Sequence, residues 1–153
     1  MTSPTEQDYA AQARQAIEIV CSGDVSRIEE FYSPVFVDHI NEMTFHGYEG
    51  GRESLSFYKT LFTDYSMGVE EQVTEGNRVA SRWVLNGTYH GRAVTLRGIT
   101  ISHLDEDGRT VEDRGHSDSI ALLGQIGVIR TLILCLEILT RRVKLPQGAL
   151  KRS

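Results

Sequence analysis

A chain of 153 residues is long enough for one domain with a sizeable core and short for two. A net charge of -5 disfavours non-specific binding to nucleic acid, and 40% apolar with 24% charged residues is the balance of a soluble globular protein. Residues 1–7 are polar and acidic and lack the basic and apolar regions of a secretory leader, so a cytoplasmic protein is expected.

Ser3-Pro4-Thr5-Glu6 reads as a capping box with proline at the first helical position. Tyr9, Ala13, Ala16, Ile17 and Val20 then recur at helical spacing and give the first helix one apolar face. Ser22, Gly23 and Asp24 break it. Asp24 can cap a short second helix carrying Val25, Ile28 and Phe31, which ends before Pro34. Residues 36–39 read as a short strand and residues 41–51 as a loop, glycine-rich toward its end. A third helix is expected over 52–62, with Leu55, Tyr58, Leu61 and Phe62 inward.

After Asp64 the period changes from helical to alternating. Residues 66–75, 78–90, 92–104 and 110–118 read as four strands, separated by Gly76-Asn77, Gly91 and the Asp107-Gly108 turn. Their short connections predict antiparallel pairing. Helices followed by a strand meander predict an α+β fold, a cone-like curved antiparallel sheet wrapped by the N-terminal helices.

Residues 126–139 are dense in Ile, Leu and Val, interrupted by Arg130 and Glu137, and five cations follow. The run falls short of the ~20 apolar residues of a membrane span, so a C-terminal helix packed on the body or on a second subunit is expected, with membrane contact disfavoured. The division that follows is a domain over 1–127 and an extension over 128–153. Cys21 and Cys135 lack CxxC spacing and read as buried thiols. The five histidines form no HxH, HxxxH or HExxH pattern, so no metal site is expected.

Alternation along the last strand puts Glu112, Arg114, His116 and Asp118 on one face and Val111, Asp113, Gly115 and Ser117 on the other. By pattern alone the charged set reads as a solvated face. The preceding strand offers Arg97, Ile99, Ile101 and His103 on one face, with His103 either beside an active carboxylate or in solvent at the strand end. His39 could line a cavity mouth or form a structural pair with Asp38. Trp83 and Tyr89 share a face of the long strand and Tyr9 lies on the first helix's apolar face. Each suits a core, and each also suits an aromatic cavity wall.

Several segments together carry a resemblance: FVDH at 36–39, YEGGRESLSFYKTLF at 48–62, EGNRVASRWVLNGTYHG at 75–91, RGITISHLDEDGRTVED at 97–113 and DSIALLGQIG at 118–127. In this order and spacing they resemble the SnoaL-like polyketide cyclases, over roughly 9–127. The resemblance implies a cone-like barrel of the nuclear-transport-factor-2 type, shared with ketosteroid isomerase, scytalone dehydratase and limonene epoxide hydrolase. It also implies an intramolecular aldol cyclisation that uses neither metal nor organic cofactor, and a homodimer paired through the outer face of the sheet. The family's acid/base aspartate precedes an LLxQLG-like segment, a position held here by Asp118. Many relatives carry a large apolar residue, often Trp, four residues earlier, where this chain has Arg114. The family match reverses the preference for a solvated face and turns it toward the cavity.

The expectation that follows is a cofactor-independent cyclase or isomerase acting on a hydrophobic, carbonyl-bearing natural-product intermediate. Asp118 would be the acid/base, His116 and Arg114 its electrostatic partners, and His103, Arg97, His39, Trp83 and Tyr9 the substrate contacts. An epoxide hydrolase or epoxide-opening cyclase is the second enzymatic reading. A non-catalytic small-molecule-binding dimer is the third.

Overall fold

The computed structural model describes residues 4–140. Thr5 caps α1 (Glu6–Gln15): its hydroxyl accepts from the Asp8 N–H at 3.3 Å, and the Asp8 carboxylate accepts from the Thr5 N–H at 2.8 Å. The reciprocal cap therefore sits two residues later than the sequence suggests, and Ser3 lies outside the described residues. The helix continues through a wider π-turn (Ala16–Cys21), then a 3-10 turn (Val25–Arg27) and the single-turn α2 (Ile28–Phe31). α3 (Gly47–Leu61) starts five residues earlier than its apolar period suggests.

Six strands form one curved, unclosed sheet: β1 (Tyr32–Ile40), β2 (Met43–His46), β3 (Tyr65–Glu75), β4 (Arg78–Tyr89), β5 (Arg92–Leu104) and β6 (Thr110–Ser117), in the order β2-β1-β6-β5-β4-β3. The meander β3 to β6 is antiparallel throughout. The β4–β5 connection turns on His90 and Gly91, both at positive φ, the two-residue geometry whose twist suits a hairpin. β2 replaces the expected loop, pairing with β1 across Asn41-Glu42.

The pairing that shapes the interior is not between sequence neighbours. β1 runs parallel to β6, with Asp38 opposite Asp113 and Ile40 opposite Gly115. The α-helices and turns cover the inner face. Ile17, Phe62, Trp83, Leu85, Tyr89, Leu96 and Ile126 form one buried cluster, and Val20, Ile28, Phe31, Tyr32, Phe36 and Leu55 a second. Tyr9 packs in a third with Ala13, Val79 and Leu104. Gly98 is required by packing: a Cβ there would run into the Trp83 ring and lie 2.5 Å from the His116 carbonyl oxygen.

α4 (Ser119–Leu139) closes the described chain and kinks at Gly127, whose φ of 79° interrupts the helical backbone. It is longer than the apolar run that marks it in sequence. By length and composition alone the whole helix could cross a membrane, because it begins seven residues before the 126–139 run. Cys135 is exposed on α4, against the expectation of a buried thiol; Cys21 lines the interior.

Candidate active site

The inner face of the sheet and the helices over it enclose a cavity of about 70 Å³. A water needs about 10–15 Å³ on this measure, so the space admits several waters or one slim ligand. Its walls are mostly apolar and aromatic: Ile28, Tyr32, Phe36, Leu55, Tyr58 and Trp83. Trp83 is held in orientation by its indole N–H, which donates to Thr100 Oγ1 at 3.0 Å.

Two carboxyls stand in this apolar wall. β1 presents Phe36, Asp38 and Ile40 to the cavity, and β6 presents Asp113, Gly115 and Ser117. Alternation along each strand sets both runs, and the parallel register sets Asp38 directly beside Asp113. Neighbouring strands lie about 4.8 Å apart, so the two carboxyls share one small volume. Asp113 is 8% exposed, and its Oδ1 has no hydrogen-bond partner. Asp38 keeps part of its surface accessible, as a side chain lining a cavity does; its Oδ2 accepts from the Ser54 hydroxyl at 3.3 Å.

Burial drives both carboxyls toward their neutral forms. It pushes Asp113 up from the ordinary 3.8 to about 6, against the Ser102 side-chain hydrogen bond, which favours the ion, and with a small contribution from the Glu112 charge. Asp38 is held well above the carboxylate range by burial and then by the charge of Asp113, while Ser54 pulls the other way. Two like charges this close do not ionise together, so the pair titrates as a unit. Near neutral pH the pair therefore holds one proton and one negative charge between its two carboxyls. An ionised base beside a neutral acid is the arrangement that acid/base chemistry on a carbonyl needs.

Nearby groups keep the rest of the wall neutral. Burial pushes the Cys21 thiol up to about 12, and the thiol lies 3.7 Å from the Tyr32 hydroxyl. Burial raises the Tyr58 phenol as well, with the Asp38 charge adding to it. Among the described residues, no three His, Cys, Asp or Glu side chains are placed to share a metal ion.

The residues singled out in sequence fall mostly elsewhere. Asp118 is exposed and caps α4, accepting from the Ala121 N–H at 2.9 Å. Arg114 is exposed and pairs with Glu112 at 2.9 Å. His116 borders the cavity, but its side chain is exposed. The strand faces are as alternation groups them, and the assignment of inside and outside is reversed. A parity error of one residue moves an entire set from core to solvent. The same reversal corrects β5. Arg97 is exposed, 4.0 Å from Glu70, and His103 lies opposite Glu112 on the outer face with Ile99 and Ile101. His39 also faces outward, bonded to Thr44 and 3.4 Å from Glu112. Tyr9 is core and does not line the cavity. Trp83 does line it.

Asp38 and Asp113 are the residues that sequence reasoning passes over. The available signal was parity: Ser102 and Leu104 on β5 and Asp113 and Gly115 on β6 are buried, while Ile99 and Ile101 are exposed. Apolar residues on the outer face hid the direction of the alternation.

Residues 10–126 match the family model described as SnoaL-like polyketide cyclase. Searched against curated proteins, the sequence matches none. Wild-type IdmH of Streptomyces antibioticus, a proposed polyketide cyclase, is 26% identical with a TM-score of 0.68, the match covering 82% of this chain and all of that one. A SnoaL-like protein from Jannaschia sp. CCS1 is 21% identical with a TM-score of 0.70, covering 82% of this chain and 96% of its own. An epoxide hydrolase of the LEH-like type from M. tuberculosis shares the fold at 12% identity and a TM-score of 0.64, covering 87% and 98%.

Proposed function

Because this chain belongs to the SnoaL-like polyketide cyclase family, we propose that it is a cofactor-independent cyclase whose acid/base pair is Asp113 and Asp38. The observation that carries this reading is the direct opposition of two carboxyls, Asp113 buried and Asp38 lining the cavity, among aromatic walls. The substrate is a small, hydrophobic natural-product intermediate with two carbonyl groups, and the reaction is an intramolecular aldol closure.

The Asp113 carboxylate removes a proton from the carbon alpha to one carbonyl. The resulting enolate carbon attacks the second carbonyl carbon and forms the new C–C bond. The π bond of that carbonyl breaks as the C–C bond forms, and its oxygen, now an alkoxide, takes the Asp38 proton. The pair then holds its proton on Asp113, and transfer to the neighbouring Asp38 restores the starting state. Asp113 serves as base because its partner acid stays neutral beside it, and the apolar walls keep bulk water from quenching the enolate. We extend the reading to a cytoplasmic homodimer paired through the outer face of the sheet, where Val73, Ile99 and Ile101 are exposed.

The test is solvent exchange. The protein is incubated in deuterium oxide with a panel of monocyclic and bicyclic ketones and 1,3-diketones, and deuterium entering the alpha position is followed by NMR. Exchange in the parent protein that drops at least a hundredfold in Asp113→Asn, with folding retained, supports the assignment. Undiminished exchange in Asp113→Asn overturns it.

The same pair supports a second reading, epoxide opening, in which Asp38 protonates the epoxide oxygen and Asp113 orients a water, for which the cavity has room. Solvent oxygen-18 in the product marks that chemistry, since an aldol closure adds none.

A further inference from the structure

α4 is oriented inside out. Its two charged side chains, Arg130 and Glu137, fall on the arc that faces the body, together with Leu134. The opposite arc carries Val128, Ile129, Leu132, Ile133, Cys135, Leu136 and Leu139, all exposed and none charged. At 100° per residue this outward arc spans about 160° of the helix. Val128 and Leu139 are 77% and 78% exposed, and Ile120 before the kink is 83% exposed.

The helix is nonetheless fastened to the body along its other side. Gln125 exchanges hydrogen bonds with the Thr95 backbone at 2.6 and 2.8 Å. Ile126 is buried, and Glu137 accepts from the Tyr89 hydroxyl at 3.3 Å and pairs with His90 at 3.1 Å. These contacts lay the helix along the protein with its apolar side outward, the posture of an interfacial helix and not of a spanning one.

Charge identifies what that side meets. Residues 141–153 hold Arg141, Arg142, Lys144, Lys151 and Arg152, five of the sixteen cations and none of the twenty-one acids, which leaves residues 1–140 at -10. A basic segment directly after an exposed apolar helix supplies two complementary membrane signals, insertion into the acyl boundary and attraction to anionic headgroups. We propose that the outward face of α4 and the basic segment after it dock the protein on an anionic lipid surface. The proposal is independent of the chemistry assigned to Asp38 and Asp113. The sequence alone disfavours membrane contact because the apolar run is short and carries two charges; the fold keeps both charges off the outward arc.

The experiment is co-sedimentation of the full chain with vesicles of phosphatidylcholine containing 30% phosphatidylserine, and with phosphatidylcholine alone, at low and high salt. The expected result is binding to the anionic vesicles that weakens with salt. Leu132→Glu with Leu136→Glu should reduce it at least tenfold. Neutralising Arg141, Arg142 and Lys144 to Gln should reduce it about a hundredfold, at roughly fivefold per cation. All five positions are exposed or lie beyond Thr140, and unchanged circular dichroism and melting show that the variants fold. Failure of the parent protein to bind anionic vesicles overturns the proposal. So does equal binding to neutral vesicles that persists in both variants. So does a dimer in sedimentation equilibrium that Leu132→Glu and Leu136→Glu dissolve, with no vesicle binding by the parent, because the face is then covered by a second copy.

Discussion

Replacing Asp113 by Asn should stabilise the protein above neutral pH while removing its proposed chemistry. The carboxyl ionises near pH 3.8 when unfolded and near 6 when folded, because burial disfavours the charge. A folded-state value raised in this way adds stability that is complete below pH 3.8 and lost as pH rises through 6. At about 1.4 kcal/mol per pKa unit, the loss is about 3 kcal/mol. Asn is nearly isosteric and does not titrate, so the variant escapes this loss. Urea denaturation of both proteins from pH 4 to 8 measures it. The difference in unfolding free energy should move in favour of the variant by about 2 kcal/mol between pH 4 and 6.5, the rest of the loss falling just outside that window. In thermal melts that corresponds to roughly 4–8 °C at this chain length. The difference, and not either curve alone, is the readout, since groups other than the coupled Asp38 titrate equally in both proteins. A difference that stays constant over this range would refute a buried, ionisable Asp113 and the acid/base pair with it.

Turnover should rise with pH through about 6 as Asp113 ionises and fall at a higher pH as the Asp38 proton is lost, both seen in the pH dependence of alpha-proton exchange. A rate flat from pH 5 to 8 would contradict this. Asp118→Ala should remove the α4 cap at a cost of about 1 kcal/mol and leave exchange intact; lost exchange with normal folding would return the acid/base role to Asp118. Gly98→Ala should destabilise by about 1–3 kcal/mol in urea, because the added methyl meets the Trp83 ring and the His116 carbonyl, and unchanged stability would show that the wall can yield. Ile99→Asp with Ile101→Asp should convert a dimer to monomer in sedimentation velocity, and a dimer unaffected by both changes would place the interface elsewhere.

Local signals in the chain set out the elements of the meander and their order. Strand periods over 66–118 and the turns at Gly76, Gly91 and Gly108 are local signals, so the antiparallel pairs follow from short connections alone. The family was legible for the same reason, since its motifs are carried in linear order. β2 was not legible: residues 43–46 are too short to show a period and owe their strand to pairing with β1.

Which face of each strand is interior was set by packing between distant elements. Period-two alternation groups residues and is symmetric between inside and outside, and apolar Ile99 and Ile101 on the outer face blurred the usual asymmetry. The parallel pairing of β1 with β6 joins residues seventy-five positions apart, and no local pattern announces that Asp38 and Asp113 will meet. Their shared proton is therefore a property of the fold. So is the orientation of α4, since composition counts its charges but only packing turns Arg130 and Glu137 toward the body and leaves the apolar arc outward.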